Sequence, residues 1–189
     1  MTLIFTGGEH PSLTDTKEFL AKIQATSSKP FIVAADQGLT FCLECNFTPD
    51  VICGDFDSLD EINKIGEKNK THRLQKIALE LQKKYPKTII HQWPLDKDYT
   101  DTQIALQEAS SHNSDCVVLI GGDGGRPDHF FANSILFKNT KAPEYWLCKQ
   151  QFVKLLSQTK EYEISEDSSF SIFPVTNHTQ CPLKKYSIK

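Results

Sequence analysis

Cys116-Val117-Val118-Leu119-Ile120-Gly121-Gly122-Asp123-Gly124-Gly125-Arg126-Pro127-Asp128-His129 places three signals in a row. An apolar run too short for a helix is followed by a turn rich in glycine, then by a proline suited to the first helical position. A strand that enters a helix through such a turn is the elementary step of an α/β fold. Outward from it, Leu3-Ile4-Phe5, Phe31-Ile32-Val33-Ala34-Ala35, Val51-Ile52-Cys53 and Thr88-Ile89-Ile90 are also short and uniformly apolar. Such runs do not alternate, which predicts strands buried in a parallel sheet. Helical spacing lies between them at about 15–25, 38–45, 60–85 (with a break near Gly66), 101–111 and 127–138.

The alternation predicts one α/β unit over residues 1–140, a Rossmann-like parallel sheet with helices on both faces. From 141 the pattern changes to strand-like pieces without long helices: Tyr145 to Cys148, Phe152 to Leu156, Tyr162 to Ile164 and Ser169 to Phe173. These predict a small antiparallel β subdomain over 141–189.

With 189 residues, 39% hydrophobic and 24% charged, the composition is that of a soluble globular chain. The balance of 21 basic against 24 acidic residues, net −3, offers no footprint for nucleic acid and no basic patch for a membrane. No apolar run approaches the roughly 20 residues of a membrane span, and the first residues lack a leader pattern, so the expected location is the cytoplasm. The six cysteines are expected to be thiols. Cys42-x-x-Cys45 has no second pair to complete a zinc site and reads as two thiols on a buried helical turn.

The aspartates fall where strands end. Asp36 closes the second run, Asp55 and Asp57 follow Gly54, Asp98 and Asp101 follow Trp93-Pro94-Leu95, and Asp123 and Asp128 follow Ile120. In a parallel sheet those loops open at one edge, where ligands of such folds bind. Seven carboxylates converging there repel one another unless a cation is present. Oxygen donors without a His or Cys cluster favour Mg²⁺, which completes its shell with water and substrate phosphates. Thr100-Asp101-Thr102-Gln103 and Ser58-Leu59-Asp60-Glu61 also fit capping boxes, which would give Asp101 a merely helix-stabilising role. In the glycine turn, backbone amides, the helix start and the Arg126 fork suit phosphate oxygens. P-loop spacing is absent.

Ala35-Asp36-Gln37-Gly38, Pro49-Asp50-Val51-Ile52-Cys53-Gly54-Asp55-Phe56-Asp57-Ser58, Lys97-Asp98-Tyr99-Thr100-Asp101 and Gly124-Gly125-Arg126-Pro127-Asp128-His129, with Asn133 beyond, resemble in order and spacing the motifs of thiamine pyrophosphokinases. The resemblance covers roughly residues 1–140, with weaker support from Ser171-Ile172-Phe173-Pro174. It implies an α/β domain followed by a β-sandwich domain, a homodimer, and Mg²⁺-dependent transfer of pyrophosphate from ATP to thiamine, leaving AMP. It implies Asp55, Asp57 and Asp101 as metal ligands and Arg126, Asp98 and Asp128 in the chemistry, with either Asp98 or Asp128 as proton acceptor. Asp36, Gly38, Ser58, Lys97, Thr100, Gly124, Gly125, His129 and Asn133 are implied in cofactor binding.

The chain departs from that pattern at Gln37, Leu39, Thr40 and the extra acid Asp123. It ends at Lys189, before the Ser-Asn motif of the family, so the expectation is a shortened sandwich and weak thiamine binding through aromatic contacts such as Tyr186 or Trp146. Three other readings stand beside this one. Gly121-Gly122-Asp123-Gly124 resembles a motif of NAD and lipid kinases, and Asp55-Phe56-Asp57 a D-x-D of nucleotide-sugar transferases. A nucleotide- or thiamine-binding regulator without turnover is the third.

Overall fold

Residues 1–23, 29–59, 70–112, 114–139, 141–156 and 169–175 are described by the computed structural model. In chain order they form β1 (Thr2–Phe5), α1 (Leu13–Ile23), β2 (Phe31–Ala35), α2 (Gly38–Glu44), β3 (Val51–Gly54), α3 (Lys70–Lys84), β4 (Ile89–Gln92), α4 (Asp101–Ser111), β5 (Val117–Ile120), α5 (Pro127–Ile135) with a 3₁₀ turn at Leu136–Lys138, β6 (Tyr145–Leu147) and β7 (Phe152–Lys154). The strands make one seven-stranded sheet in the order β4-β3-β2-β1-β5-β6-β7. All neighbours are parallel except β6 and β7.

Side chains alternate across the sheet as strand geometry requires. Leu3, Phe5, Ile32, Ala34, Ile52, Val118 and Ile120 face a core closed by Leu20 of α1, Phe41 of α2, and Leu74, Ile77 and Leu81 of α3. Ile4, Val33, Ala35, Val51, Cys53 and Leu119 face the other, closed by Ile104, Ala105 and Ala109 of α4 and by Leu136, Phe137 and Trp146. Both faces of the central strands are therefore buried, the physical reason their sequences are uniformly apolar. Two polar ties set the heights of the strands. Asp50 Oδ2 accepts from the Ile32 amide (2.8 Å), and Thr88 Oγ1 donates to the Pro49 carbonyl (2.7 Å).

Three expectations change. The run Thr88-Ile89-Ile90 does form a strand, but at the sheet edge, where Ile89 is 52% exposed. The pieces expected to open a separate β unit, Tyr145–Leu147 and Phe152–Lys154, instead extend the main sheet: β6 runs parallel to β5 and β7 returns against it. Ser169 to Phe173 forms no strand. The strand expected at Tyr162 to Ile164, the Ser58 to Glu61 cap beyond Leu59, and Tyr186 lie outside the described residues.

Trp146 is 1% exposed, and its indole N–H donates to the Gly121 carbonyl at 2.6 Å. It locks the glycine turn from below and cannot stack on a ligand, contrary to the aromatic role expected of it. Trp146→Phe leaves that buried carbonyl without its donor. It should cost about 1–3 kcal/mol in chemical denaturation.

Candidate functional site

The strand order reverses between β1 and β5, which makes the crevice above their carboxyl ends the place where α/β sheets take ligands. One wall is built by the segments that follow β2, β3 and β4. Asp36 leaves β2 in a left-handed conformation (φ 44°), with its amide donating to the Cys53 carbonyl (2.9 Å). Phe56 also lies in the left-handed region (φ 64°), a strained conformation for a bulky residue, and its fully buried ring pins the turn that carries Asp55 and Asp57. The Asp55 carboxylate accepts the Asp57 amide (3.1 Å), and Ser58 Oγ donates to Asp57 Oδ1 (2.8 Å).

Lys97 closes this wall. Its ammonium lies 2.6 Å from Asp55 Oδ2 and 3.0 Å from Asp101 Oδ1, with 9% of the side chain exposed. The second contact is an ion pair without hydrogen-bond geometry, so Asp101 Oδ1 has no hydrogen-bond partner. Burial works against the Lys97 charge, but the two carboxylates outweigh it and raise its pKa. Burial raises that of Asp101 while Lys97 pulls it down.

Asp36 is the least compensated group. Burial, followed by the charges of Asp101 and Asp55, pushes its carboxyl up to about 7, although the Gln37 amide acts the other way. Its Oδ1 is buried without a partner. Raised from 3.8, the folded-state pKa favours the protonated form, so its stabilising effect is complete below about pH 4 and is lost as pH rises to about 7. Asp36→Asn mimics the protonated form. Its melting temperature should gain on the parent between pH 4 and pH 7 and hold that gain above; a constant difference across the range would refute the burial argument.

The other wall is the glycine turn. Gly121, Gly122, Gly124 and Gly125 all have left-handed φ, between 63° and 87°, which explains the glycine repetition in the sequence. The turn is tied to the loop after β1 by a two-hydrogen-bond bridge, Glu9 N–H to Asp123 O (2.7 Å) and Asp123 N–H to Glu9 O (3.2 Å). Asp123 caps it: Oδ1 accepts the Gly124 amide (2.8 Å) and Oδ2 the Lys149 amide (3.3 Å). Arg126, with 70% of its side chain exposed, makes a two-point contact with Asp128 at 2.6 and 3.3 Å.

Of the seven aspartates expected to converge, Asp36, Asp55, Asp57 and Asp101 act on one another, with Lys97 between two of them. Asp98 is exposed beside Lys97, Asp123 belongs to the turn, and Asp128 to Arg126. Asn133 is 3% exposed and its amide donates to the Gly122 carbonyl (3.1 Å), so it shapes the turn from inside. Gly38 is buried where α2 starts against β1. Thr100 caps α4 in a complete capping box with Gln103. His129 is half-exposed, 3.9 Å from Asp128. Cys42 and Cys45 are buried free thiols, pushed by burial up to about 12 and about 11.

Sequence reasoning passed over the loop after β1. Gly7, Gly8 and His10 line a cleft of about 220 Å³ with Gln37, Phe41 and Ser58, and His10 stacks on Phe41 at 3.7 Å between centroids. Gly8 (φ 92°) would bring a Cβ within 3.0 Å of the Asp123 carbonyl. The signal available was Gly7-Gly8, one residue past the first apolar run.

A divalent cation suits this chemistry in part. Among the described residues no three acidic, His or Cys side chains already form a ligand set. The donors are nevertheless oxygen alone, their negative charge exceeds what Lys97 neutralises, and Asp36 Oδ1 is an orphan. No helix among the described residues is long and apolar enough to cross a membrane.

Residues 23–146 match the family described as thiamin pyrophosphokinase, catalytic domain. The thiamine pyrophosphokinase of Bacillus subtilis (strain 168) is 29% identical over 140 residues, which are 72% of this chain and 58% of that protein. The crystal structure of thiamin pyrophosphokinase from Geobacillus thermodenitrificans has a TM-score of 0.52 at 28% identity, covering 78% of this chain and 59% of that one. The chain thus spans less than two thirds of the length of these relatives.

Proposed function

Because this chain belongs to the thiamin pyrophosphokinase family, by its match over residues 23–146, we propose that it transfers the pyrophosphoryl group of ATP to the hydroxyl of thiamine and releases AMP. The observation that carries the reading is the crevice itself. An under-neutralised carboxylate wall built on Asp36, Asp55, Asp57 and Asp101 and a wall of left-handed glycines with Arg126 flank the point where the strand order reverses.

In this reading Asp55, Asp57 and Asp101 would hold Mg²⁺, which supplies charge neutralisation to the triphosphate. Lys97 holds Asp55 and Asp101 at fixed spacing. Arg126 presents a planar fork to phosphate oxygens once it leaves Asp128, with the Gly125 amide beside it. A loose phosphoryl-transfer transition state asks more of such positioning than of a base. Arg126 holds the Asp128 carboxyl below its usual range while the two are paired, and either Asp98 or Asp128 would accept the hydroxyl proton. In the same reading residues 141–189 would supply the thiamine site and a homodimer contact, and exposed Phe131 and Ile135, one turn apart on α5, would add an apolar face to that contact. The cytoplasm is the proposed location.

Release of AMP from ATP only when thiamine is present tests the reading. ADP would mark a simple kinase, and neither product a binding module. Arg126→Lys should lose more than about tenfold in kcat/KM, because an ammonium cannot reproduce two-point contacts. Equal activity would leave Arg126 as a helix-start residue.

A further inference from the structure

Three segments meet over the glycine turn: the loop after β1, the turn itself and the β6–β7 connection. The Glu9 backbone is fixed there by its bridge to Asp123. Its side chain lies on Gly124 so closely that a methyl placed on that glycine would stand 2.4 Å from Glu9 Cδ and 2.7 Å from Oε2. Lys149 Nζ is 3.2 Å from the same Oε2, and the Lys149 amide is bound to Asp123. A carboxylate thus covers the part of the turn that would receive phosphate, and an ammonium is paired to it.

We propose that Glu9 is an internal anion on the glycine turn, competing with a nucleotide's phosphates for Lys149, and that Lys149 is a further phosphate-binding residue. This rests on the reading that the turn takes the phosphates of ATP. The exchange has low cost on the protein side. Both side chains are about half-exposed, and exposed ion pairs hold weakly. Because Glu9 and Lys149 are each anchored through the backbone to Asp123, only side-chain torsions need change. Phosphate oxygens carry more charge than one carboxylate and accept stronger hydrogen bonds from the released ammonium. Glu9 thereby sets how much anionic charge a ligand needs before it can occupy the turn.

Calorimetric titration of the full chain with ATP and Mg²⁺, with adenosine as the phosphate-free probe, tests the competition. Glu9→Gln should tighten ATP binding by about three- to tenfold and Lys149→Met weaken it by about tenfold, with adenosine binding unchanged in both. In the double variant the Glu9→Gln gain over Lys149→Met should shrink to less than half of its size in the parent, since no ammonium remains to be released and only direct repulsion is relieved. A Glu9→Gln gain of undiminished size in the double variant, or no gain at all, overturns the proposal while leaving the phosphate site intact. Failure of the parent chain to bind ATP removes the underlying reading, and the proposal with it. Unchanged melting temperatures in both single variants tie the affinity shifts to the site.

Discussion

Asp55→Asn should reduce AMP formation by about a thousandfold, roughly 4 kcal/mol of transition-state stabilisation. Asp55 is the junction of its wall: one oxygen binds Lys97, the other the Asp57 amide. The amide side chain keeps the size and one acceptor for the Asp57 amide, but it removes the charge that a cation held against the triphosphate would require. Stability should fall by about 1–3 kcal/mol, because the nearly buried Lys97 loses its hydrogen-bonded carboxylate and retains only Asp101, while relief of the repulsion that raises Asp36 offsets part of the loss. Steady-state rates at saturating Mg²⁺ and a thermal melt check the two halves. Activity within tenfold of the parent would show that Asp55 has no charge role.

Gly38→Ala should be the most damaging added methyl among the described glycines, costing about 3 kcal/mol or more, or preventing folding. A Cβ there would stand 2.2 Å from the Phe5 carbonyl oxygen, 2.4 Å from its carbon and 2.6 Å from the Thr6 nitrogen. That backbone cannot yield. β1 is bonded to β2 on one side and β5 on the other, and the Thr6 amide donates to the Ile120 carbonyl (3.0 Å). Moving α2 away instead would open the core around Phe41 and Leu39. Gly125→Ala is the control. Nothing lies within 4 Å of its Cβ, so only the left-handed φ of 63° opposes it, at about 1–2 kcal/mol. Urea unfolding of the two variants should separate them clearly.

Gly38 also marks a boundary on what could be read from the sequence. It stood in a motif with Asp36 and was expected to serve a ligand, yet its backbone contact with β1 is what forbids a side chain. No sequence pattern reveals such a distance. The central strands were legible because burial on both faces leaves no polar position to blur them. β4 had the same composition but an edge place, and composition does not say which strand of a sheet is last. Tyr145–Leu147 and Phe152–Lys154 are too short to carry a period, so nothing distinguished an extension of the sheet from a new unit. In the site, the carboxylates after β2 and β3 and the acid of the Thr100 cap could be placed by topology. Lys97 as the partner of Asp55, and Glu9 over Gly124, arise from side-chain paths that cross between loops distant in sequence.

Thr2–Phe5 pairs with Phe31–Ala34 on one side and with Val117–Ile120 on the other. A chain emerging from the ribosome at about 5–20 residues per second presents the first partner early and the second many seconds later. During that interval one edge of Leu3-Ile4-Phe5 is unpaired, an apolar template open to any other extended chain. Closure of so long a loop also places this pairing among the slow steps of folding. The crevice between β1 and β5 is therefore born late, and the hazard of misassembly at the β1 edge is greatest just before it. Fragments ending ahead of Val117 should aggregate during synthesis, whereas those that extend through Lys154, and so also cover the far edge of β5, should stay dispersed.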